Sequence, residues 1–214
     1  MSIGIIGSGK LGGGFARALA RKNIPALIAN SRGPESLRAL TRELGPSIKA
    51  ATVAEAARAD IVLVAVRWPS LQEALGGLPN WNGRIVIDGN NPVVDIDPNS
   101  PDANDPANPV RAYGIKLVDI GGRRSSSVFC ELVPGARVVK AFNHLDAQVF
   151  ANLDVPNGQR VFFLTGDDPG AKADIAQLMG QLGVASIDLG PLEAAGRLIE
   201  LPFGPLSIIN LVKI

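Results

Sequence analysis

The part of this 214-residue chain best suited to chemistry is a glycine-rich turn, Gly7, Gly9 and Gly12, spaced G-x-G-x-x-G. It follows the apolar run Ile3-Gly4-Ile5-Ile6 and opens an alanine-rich stretch. Each glycine has a separate task. Gly7 allows a tight turn, Gly9 lets an anion come close to the main chain, and Gly12 lets the following helix lie against the strand. The first N–H groups of such a helix have no partner inside it, so the junction suits a pyrophosphate. Ser8, Lys10 and Leu11 fill the remaining positions of the loop. The glycine spacing alone is a weak signal, but at the first strand-to-helix junction of an α/β chain it points to a dinucleotide.

The second apolar run, Ala26–Ala29, ends in Asn30-Ser31-Arg32, and Asn30 lies eighteen residues beyond Gly12. A site selective for NAD places an acid near this offset to hold the ribose hydroxyls. Here the acid is absent, and the Ser31 hydroxyl with the Arg32 guanidinium can grip a 2′-phosphate instead. The expected cofactor is therefore NADP(H).

The elements that must position these groups are legible as short β-branched runs alternating with helical stretches. Strands are expected at Ile3–Ile6, Ala26–Ala29, Ile61–Val66 and Arg84–Asp88, with helices at Lys10–Lys22, Pro34–Leu44 and Ser70–Leu75. Ile61–Val66 is apolar without alternation, as a strand covered on both faces must be. Thr52 three residues before Glu55 forms a capping-box pattern. Later segments continue the rhythm: a helix at Ser125–Leu132, a strand at Arg137–Ala141, a helix at Leu145–Leu153, a strand at Arg160–Thr165, a helix at Ala171–Gly183 and a strand at Ser186–Leu189. This is a Rossmann-like, doubly wound α/β fold with a mainly parallel sheet of about eight strands. A single domain is expected over 1–214, with a core at 1–145 and a C-terminal βαβ extension at 146–214. Between Pro92 and Pro109, five prolines and three asparagines break the pattern. That stretch is expected to be a long loop, either a substrate lid or a variable insertion.

Bulk composition narrows the function classes. Twenty-one basic and twenty acidic side chains leave a formal charge of +1, so no general field draws the chain to nucleic acid or anionic lipid. The single cysteine, Cys130, excludes an internal disulfide and a cysteine-rich zinc site, and is expected to pack in the core. No metal site is expected. The strand begins at Ile3 with no signal-peptide pattern before it, so a cytoplasmic location is expected. The apolar stretch Leu206–Ile214 is too short to span a bilayer and suits burial or a subunit contact.

Beyond the glycine loop and Asn30-Ser31-Arg32-Gly33-Pro34, several runs have a family look: Ala65-Val66-Arg67-Trp68, Ile87-Asp88-Gly89-Asn90-Asn91-Pro92, Leu132 to Asn143, and Gly166-Asp167-Asp168. The chain resembles the NADP oxidoreductases dependent on coenzyme F420, a family related to the N-terminal domain of pyrroline-5-carboxylate reductase. The resemblance covers most of the chain except residues 92–124 and the tail. It implies pyrophosphate contacts from Ser8 to Leu11, 2′-phosphate contacts from Ser31 and Arg32, and a nicotinamide side at Val66 and Ala141; Asn30, Ala65, Asn91, Pro92 and Asn143 are further candidates for cofactor binding. It also implies hydride transfer between NADP(H) and a deazaflavin, and a homodimer. Because both reactants carry their own redox chemistry, no nucleophile or metal is required.

The sequence departs from the family pattern at Arg67, Asn90 and His144, where the second substrate should sit. The small-molecule acceptor could then be coenzyme F420, another flavin-like ring, a quinone or an imine, or the chain could be a non-catalytic redox-sensing module. His144, the only histidine, and Trp68 are weak candidates to face an acceptor ring, against plain packing roles. Arg123 to Ser127 could hold a second anion or simply form a serine-capped helix start, and Asn91-Pro92 could carry a cis bond.

Overall fold

The computed structural model describes residues 1–214. Its first half builds β1 (Ile3–Ile6), α1 (Lys10–Arg21), β2 (Ala26–Ala29), a 3₁₀ turn over Pro34–Leu37 running into α2 (Arg38–Leu44), and β3 (Ile48–Ala50). It continues through α3 (Val53–Ala56), β4 (Ile61–Val64), a 3₁₀ turn at Trp68–Ser70 leading into α4 (Leu71–Leu75), and β5 (Ile85–Asp88). The second half carries β6 (Val93–Asp95), β7 (Ile115–Leu117), α5 (Ser125–Leu132), β8 (Arg137–Ala141), β9 (Asp154–Val155) and β10 (Gly158–Gly166). It ends in α6 (Pro169–Gln181), β11 (Ala185–Asp188), α7 (Leu192–Ala195) and β12 (Val212–Lys213).

The main sheet has the strand order β11-β10-β8-β5-β4-β1-β2-β3. Strands β8, β5, β4, β1, β2 and β3 are mutually parallel. Residues Ile3–Ile6, Ile61–Val64 and Ile85–Asp88 are buried throughout, as strands covered on both faces require. On one face α1 and α6 close a core containing Phe15, Phe142, Phe150, Phe162 and Ile175. On the other, Trp68, Trp81 and Phe129 pack with Leu71 and Val133. The sheet is thus wound on both sides, a Rossmann-like α/β fold. The Thr52 capping box forms as expected: the Thr52 N–H donates to Glu55 Oε2 at 2.7 Å, and its hydroxyl accepts from the Glu55 N–H at 3.2 Å.

The extension after residue 145 enters the same sheet, but in the reverse sense. β10 runs antiparallel to β8, while β10, α6 and β11 form the expected parallel βαβ unit. The span expected as a helix at Leu145–Leu153 is a 3₁₀ turn over Ala147–Ala151. Strand β4 stops at Val64, two residues earlier than expected. Strand β3 was not expected, because three residues with burial falling from Ile48 to Lys49 leave too little pattern.

The clearest correction is at Pro92–Pro109, which is not a structureless loop. Val93–Asp95 pairs antiparallel with Ile115–Leu117, and 3₁₀ turns at Pro101–Asn104 and Arg111–Tyr113 fill the span between. Ile96 and Val110 bury beneath it, and Arg67 ties the arm to the end of β4 through Asp95 at 3.1 Å. Asn91-Pro92 is trans; the cis bond is Leu201-Pro202. The tail is not buried, since Val212 and Lys213 pair with the start of β10 while their side chains stay exposed. Cys130 is half-buried against the second core cluster, and burial pushes its thiol up to about 11. No helix is long and apolar enough to cross a membrane.

Candidate functional site

The glycine turn has the geometry its spacing predicted. Gly7 adopts φ +107, and a Cβ there would meet the Ala65 carbonyl at 2.1 Å. A Cβ on Gly12 would meet the Gly7 carbonyl oxygen at 1.9 Å, so strand and helix approach only because both side chains are absent. A Cβ on Gly9 would meet nothing within 4 Å: this glycine lies at the open mouth of the turn. Helix α1 starts there with no side-chain cap and no acid in its first turn, leaving its opening N–H groups and positive dipole end uncompensated. Lys10 is exposed and Ser8 and Leu11 are half-exposed beside it.

Asn30 ties this turn to the loop after β2. Its amide Nδ2 donates to Ser8 Oγ at 3.2 Å and to Ser36 Oγ at 3.0 Å, while its Oδ1 accepts from the Arg32 N–H at 3.0 Å. Ser36 was not expected to take part; it is found only through this bond. Ser31 and Arg32 are exposed, and the neighbouring carboxylate of Glu35 is engaged by Arg38 at 2.5 Å. The Arg32 guanidinium therefore stands free beside the tip of β2, within the same loop as the glycine turn's tether.

The remaining candidates divide. Ala65 and Val66 are half-exposed at the end of β4. Ala141, Asn143 and Pro92 are buried and offer little surface to a ligand, because the segment around Ile199–Ile208 lies over the ends of β5 and β8. Asn143 Nδ2 donates to the Ile199 carbonyl at 2.9 Å, Asn91 Oδ1 accepts from the Leu201 N–H at 2.9 Å, and the Ile208 N–H donates to the His144 carbonyl at 2.6 Å. Asn91 and Asn143 also bond each other, Asn91 Nδ2 to the Asn143 carbonyl at 2.8 Å and Asn143 Nδ2 to Asn91 Oδ1 at 3.0 Å. Their amides organise the cover.

Neither weak candidate for an acceptor contact faces the edge. His144 is fully buried between Phe162 and Phe163, and desolvation lowers its pKa to about 4, so it is neutral at ordinary pH. Trp68 is 8% exposed and packs in the second core cluster. The apolar neighbours each ring buries outweigh any polar use of its tip. At Arg123 to Ser127 the arginines are engaged, Arg123 with Glu131 and Arg124 with Glu193, and Arg124 rather than a serine occupies the cap position of α5.

The sequence reading missed a buried polar chain at the same sheet edge. Lys140 and Asp88, neighbours in register across β8 and β5, are both fully buried and pair at 2.9 Å. The three ammonium protons of Lys140 reach Asp88 Oδ2, the Asn90 carbonyl at 2.9 Å and Ser125 Oγ at 3.4 Å. Asp88 Oδ1 accepts from the Asn90 N–H at 3.0 Å and from its Nδ2 at 2.9 Å. Ser125 in turn donates to Glu200. The available signal was a pair of opposite charges, Asp88 closing the apolar run Ile85–Ile87 and Lys140 set between Val139 and Ala141, where unpaired charges are almost never buried.

Comparison with known proteins agrees with this architecture. Residues 2–92 match the model of the family described as NADP oxidoreductase, coenzyme F420-dependent. The hypothetical protein SMa0349 from Sinorhizobium meliloti is 40% identical, with a TM-score of 0.85 over 100% of this chain and 97% of that one. A candidate F420-dependent NADP reductase from Arthrobacter sp. FB24 is 28% identical, with a TM-score of 0.71 over 91% of this chain and 87% of its own. A reductive aminase from Aspergillus terreus, solved with NADPH and ethyl levulinate, shares the fold at 15% identity and a TM-score of 0.56; the match spans 89% of this chain and 55% of the aminase. With the glycine turn, the doubly wound sheet and these matches together, the chain belongs to the coenzyme F420-dependent family of NADP oxidoreductases.

Proposed function

We propose that this chain binds NADP(H) across the ends of β1, β2 and β4 and passes a hydride between it and a flat ring acceptor, coenzyme F420 or a related flavin-like molecule. The observation that carries the reading is the link Ser8–Asn30–Arg32. A single buried amide joins the diphosphate turn to a loop whose guanidinium has no protein partner. The residues fit the group: space is open at Gly9, the start of α1 is uncapped, no acid occupies Asn30 to Arg32 at the tip of β2, and the Glu35 carboxylate further along the loop is paired with Arg38. Gly7 to Gly12 would hold the diphosphate, Ser31 and Arg32 the 2′-phosphate, and Ala65 and Val66 would flank the nicotinamide.

When bound, NADPH supplies a hydride from the nicotinamide ring, and the reduced acceptor takes its accompanying proton from water. The chain itself has to orient two rings and keep water from between them, which is worth several orders of magnitude when reacting atoms are held about 3–3.5 Å apart. Val66 gives one apolar wall. The arm at Val93–Leu117, tied to the end of β4 through Arg67 and Asp95, and the segment held by Asn91 would bound the space on the other sides. Neutral, buried His144 takes no part in proton transfer. A cytoplasmic, homodimeric protein fits this reading.

One observation favours a second reading, a redox-sensing module that binds NADP(H) without turnover: the segment Ile199–Ile208 covers the ends of β5 and β8, narrowing the approach for a second substrate. Anaerobic mixing of the protein with NADPH and oxidised coenzyme F420 separates the two. Loss of the deazaflavin's visible absorbance supports the reductase. Saturable NADPH binding with no transfer to F420, flavins, quinones or imines supports the module, and absence of NADPH binding refutes both.

A further inference from the structure

Two consecutive asparagines at the tip of β5 face opposite duties. Asn90 Oδ1 accepts the Val66 N–H at 3.2 Å and its Nδ2 donates to the Val64 carbonyl at 3.1 Å, so it grips the end of β4. Asn91 Oδ1 accepts the Leu201 N–H, so it grips the covering segment. The short turn Asp88–Asn91 is itself locked from below. Asp88 holds both the N–H and the amide of Asn90, and Lys140 clamps Asp88 and the Asn90 carbonyl together from the next strand. Ser125, bonded by Lys140, repeats the connection to the cover through Glu200.

We infer that Asn90 and Asn91, locked by the Lys140–Asp88 pair, are positioning residues that set the spacing between Val66 and the covering segment, and hence the fit of the two stacked rings. This rests on the proposed function. An ion pair kept at full burial is not an efficient way to stabilise a fold, since apolar residues of similar volume often serve as well. A lock on one geometry gives it a different use. Every polar atom that Lys140 and Asp88 present is used, so the turn has no alternative arrangement of equal energy. The asparagine amides are spent on the main chain at the end of β4 and of the covering segment rather than offered to either ring. Their effect would be exerted through the Val66 main chain and the position of Leu201.

The test compares Asn90→Ala and Asn91→Ala with the unmodified protein by two readouts. The first is amide hydrogen exchange without nucleotide. Asn90→Ala is expected to speed exchange at Val66 while leaving Leu201 slow, and Asn91→Ala to do the reverse. The second is NADPH affinity set against the single-turnover rate of hydride transfer. Affinity should stay within about threefold while transfer slows about tenfold or more, since displacements near 1 Å carry costs of that order or larger. Unchanged exchange at both amides overturns the inference, as does a loss of affinity in proportion to rate. If the unmodified protein transfers no hydride, the proposed reaction fails on its own, and the exchange measurement still decides whether the two asparagines hold the two segments. Should Asn90→Ala not fold, Asn91→Ala carries both readouts.

Discussion

Replacing Arg32 with alanine removes the one guanidinium proposed to select the 2′-phosphate and little else. The Arg32 main-chain N–H, which donates to Asn30 Oδ1, survives the substitution, so the bonds from Asn30 to Ser8 and Ser36 stay in place. A hydrogen bond to a charged partner contributes about 1.5–3 kcal/mol. Arg32 is exposed, and solvent and salt screen it, which argues for the lower part of that range. A loss of about 1.5–2 kcal/mol corresponds to roughly 10- to 30-fold weaker NADPH binding. NADH lacks the phosphate and should bind the variant and the parent alike. Titration calorimetry with both nucleotides at low and high salt measures this directly, and the difference should shrink as salt rises. Equal weakening of NADPH and NADH, or no weakening of either, would refute the assignment of the 2′-phosphate to this loop.

Two other perturbations reach different parts of the account. Gly12→Ala drives a Cβ into the Gly7 carbonyl at 1.9 Å, so the strand-to-helix junction must shift. Overpacking of this kind costs about 1–3 kcal/mol, so the melting temperature should fall and NADPH binding should be largely lost, whereas an unchanged melt would contradict the close packing of β1 on α1. His144 is buried neutral with its pKa lowered from 6.5 to about 4 by desolvation, so the unfolded chain binds the proton more tightly than the folded one. Its contribution to stability is intact above pH 6.5 and declines as pH falls toward 4, by about 3 kcal/mol in all. Denaturant unfolding of His144→Leu should show a shallower loss of stability across that window, and an identical slope would show that another group is responsible.

How much of this was legible beforehand follows from which interactions are local. The glycine turn, the first strand and the Thr52 cap are written in patterns only a few residues long, and they appear in the structure at the positions the pattern gave. Asp88 and Lys140 were not singled out as a pair because they lie 52 residues apart and meet only through the register of β5 on β8. The arm at Val93–Leu117 was misjudged for a similar reason. Proline and asparagine dominate its sequence, while the pairing that orders it joins residues about twenty positions apart. His144 and Trp68 follow strands at the functional edge, yet side-chain direction there is set by what each ring can bury: Phe162 and Phe163 claimed His144, and the second core cluster claimed Trp68. The cover over β5 and β8 was invisible because three of its holds are main-chain groups of Ile199, Leu201 and Ile208, which no residue type announces, and the Glu200 side chain finds Ser125 only across a separation of 75 residues.

The most direct measurement is a single-turnover experiment, anaerobic, with protein in excess over oxidised coenzyme F420 and NADPH deuterated at the transferable position. The account predicts bleaching of the deazaflavin band, deuterium recovered on its ring, and a rate that saturates with NADPH far more readily than with NADH. Tight NADPH binding with the deazaflavin left oxidised, or transfer that proceeds as readily from NADH, would contradict it.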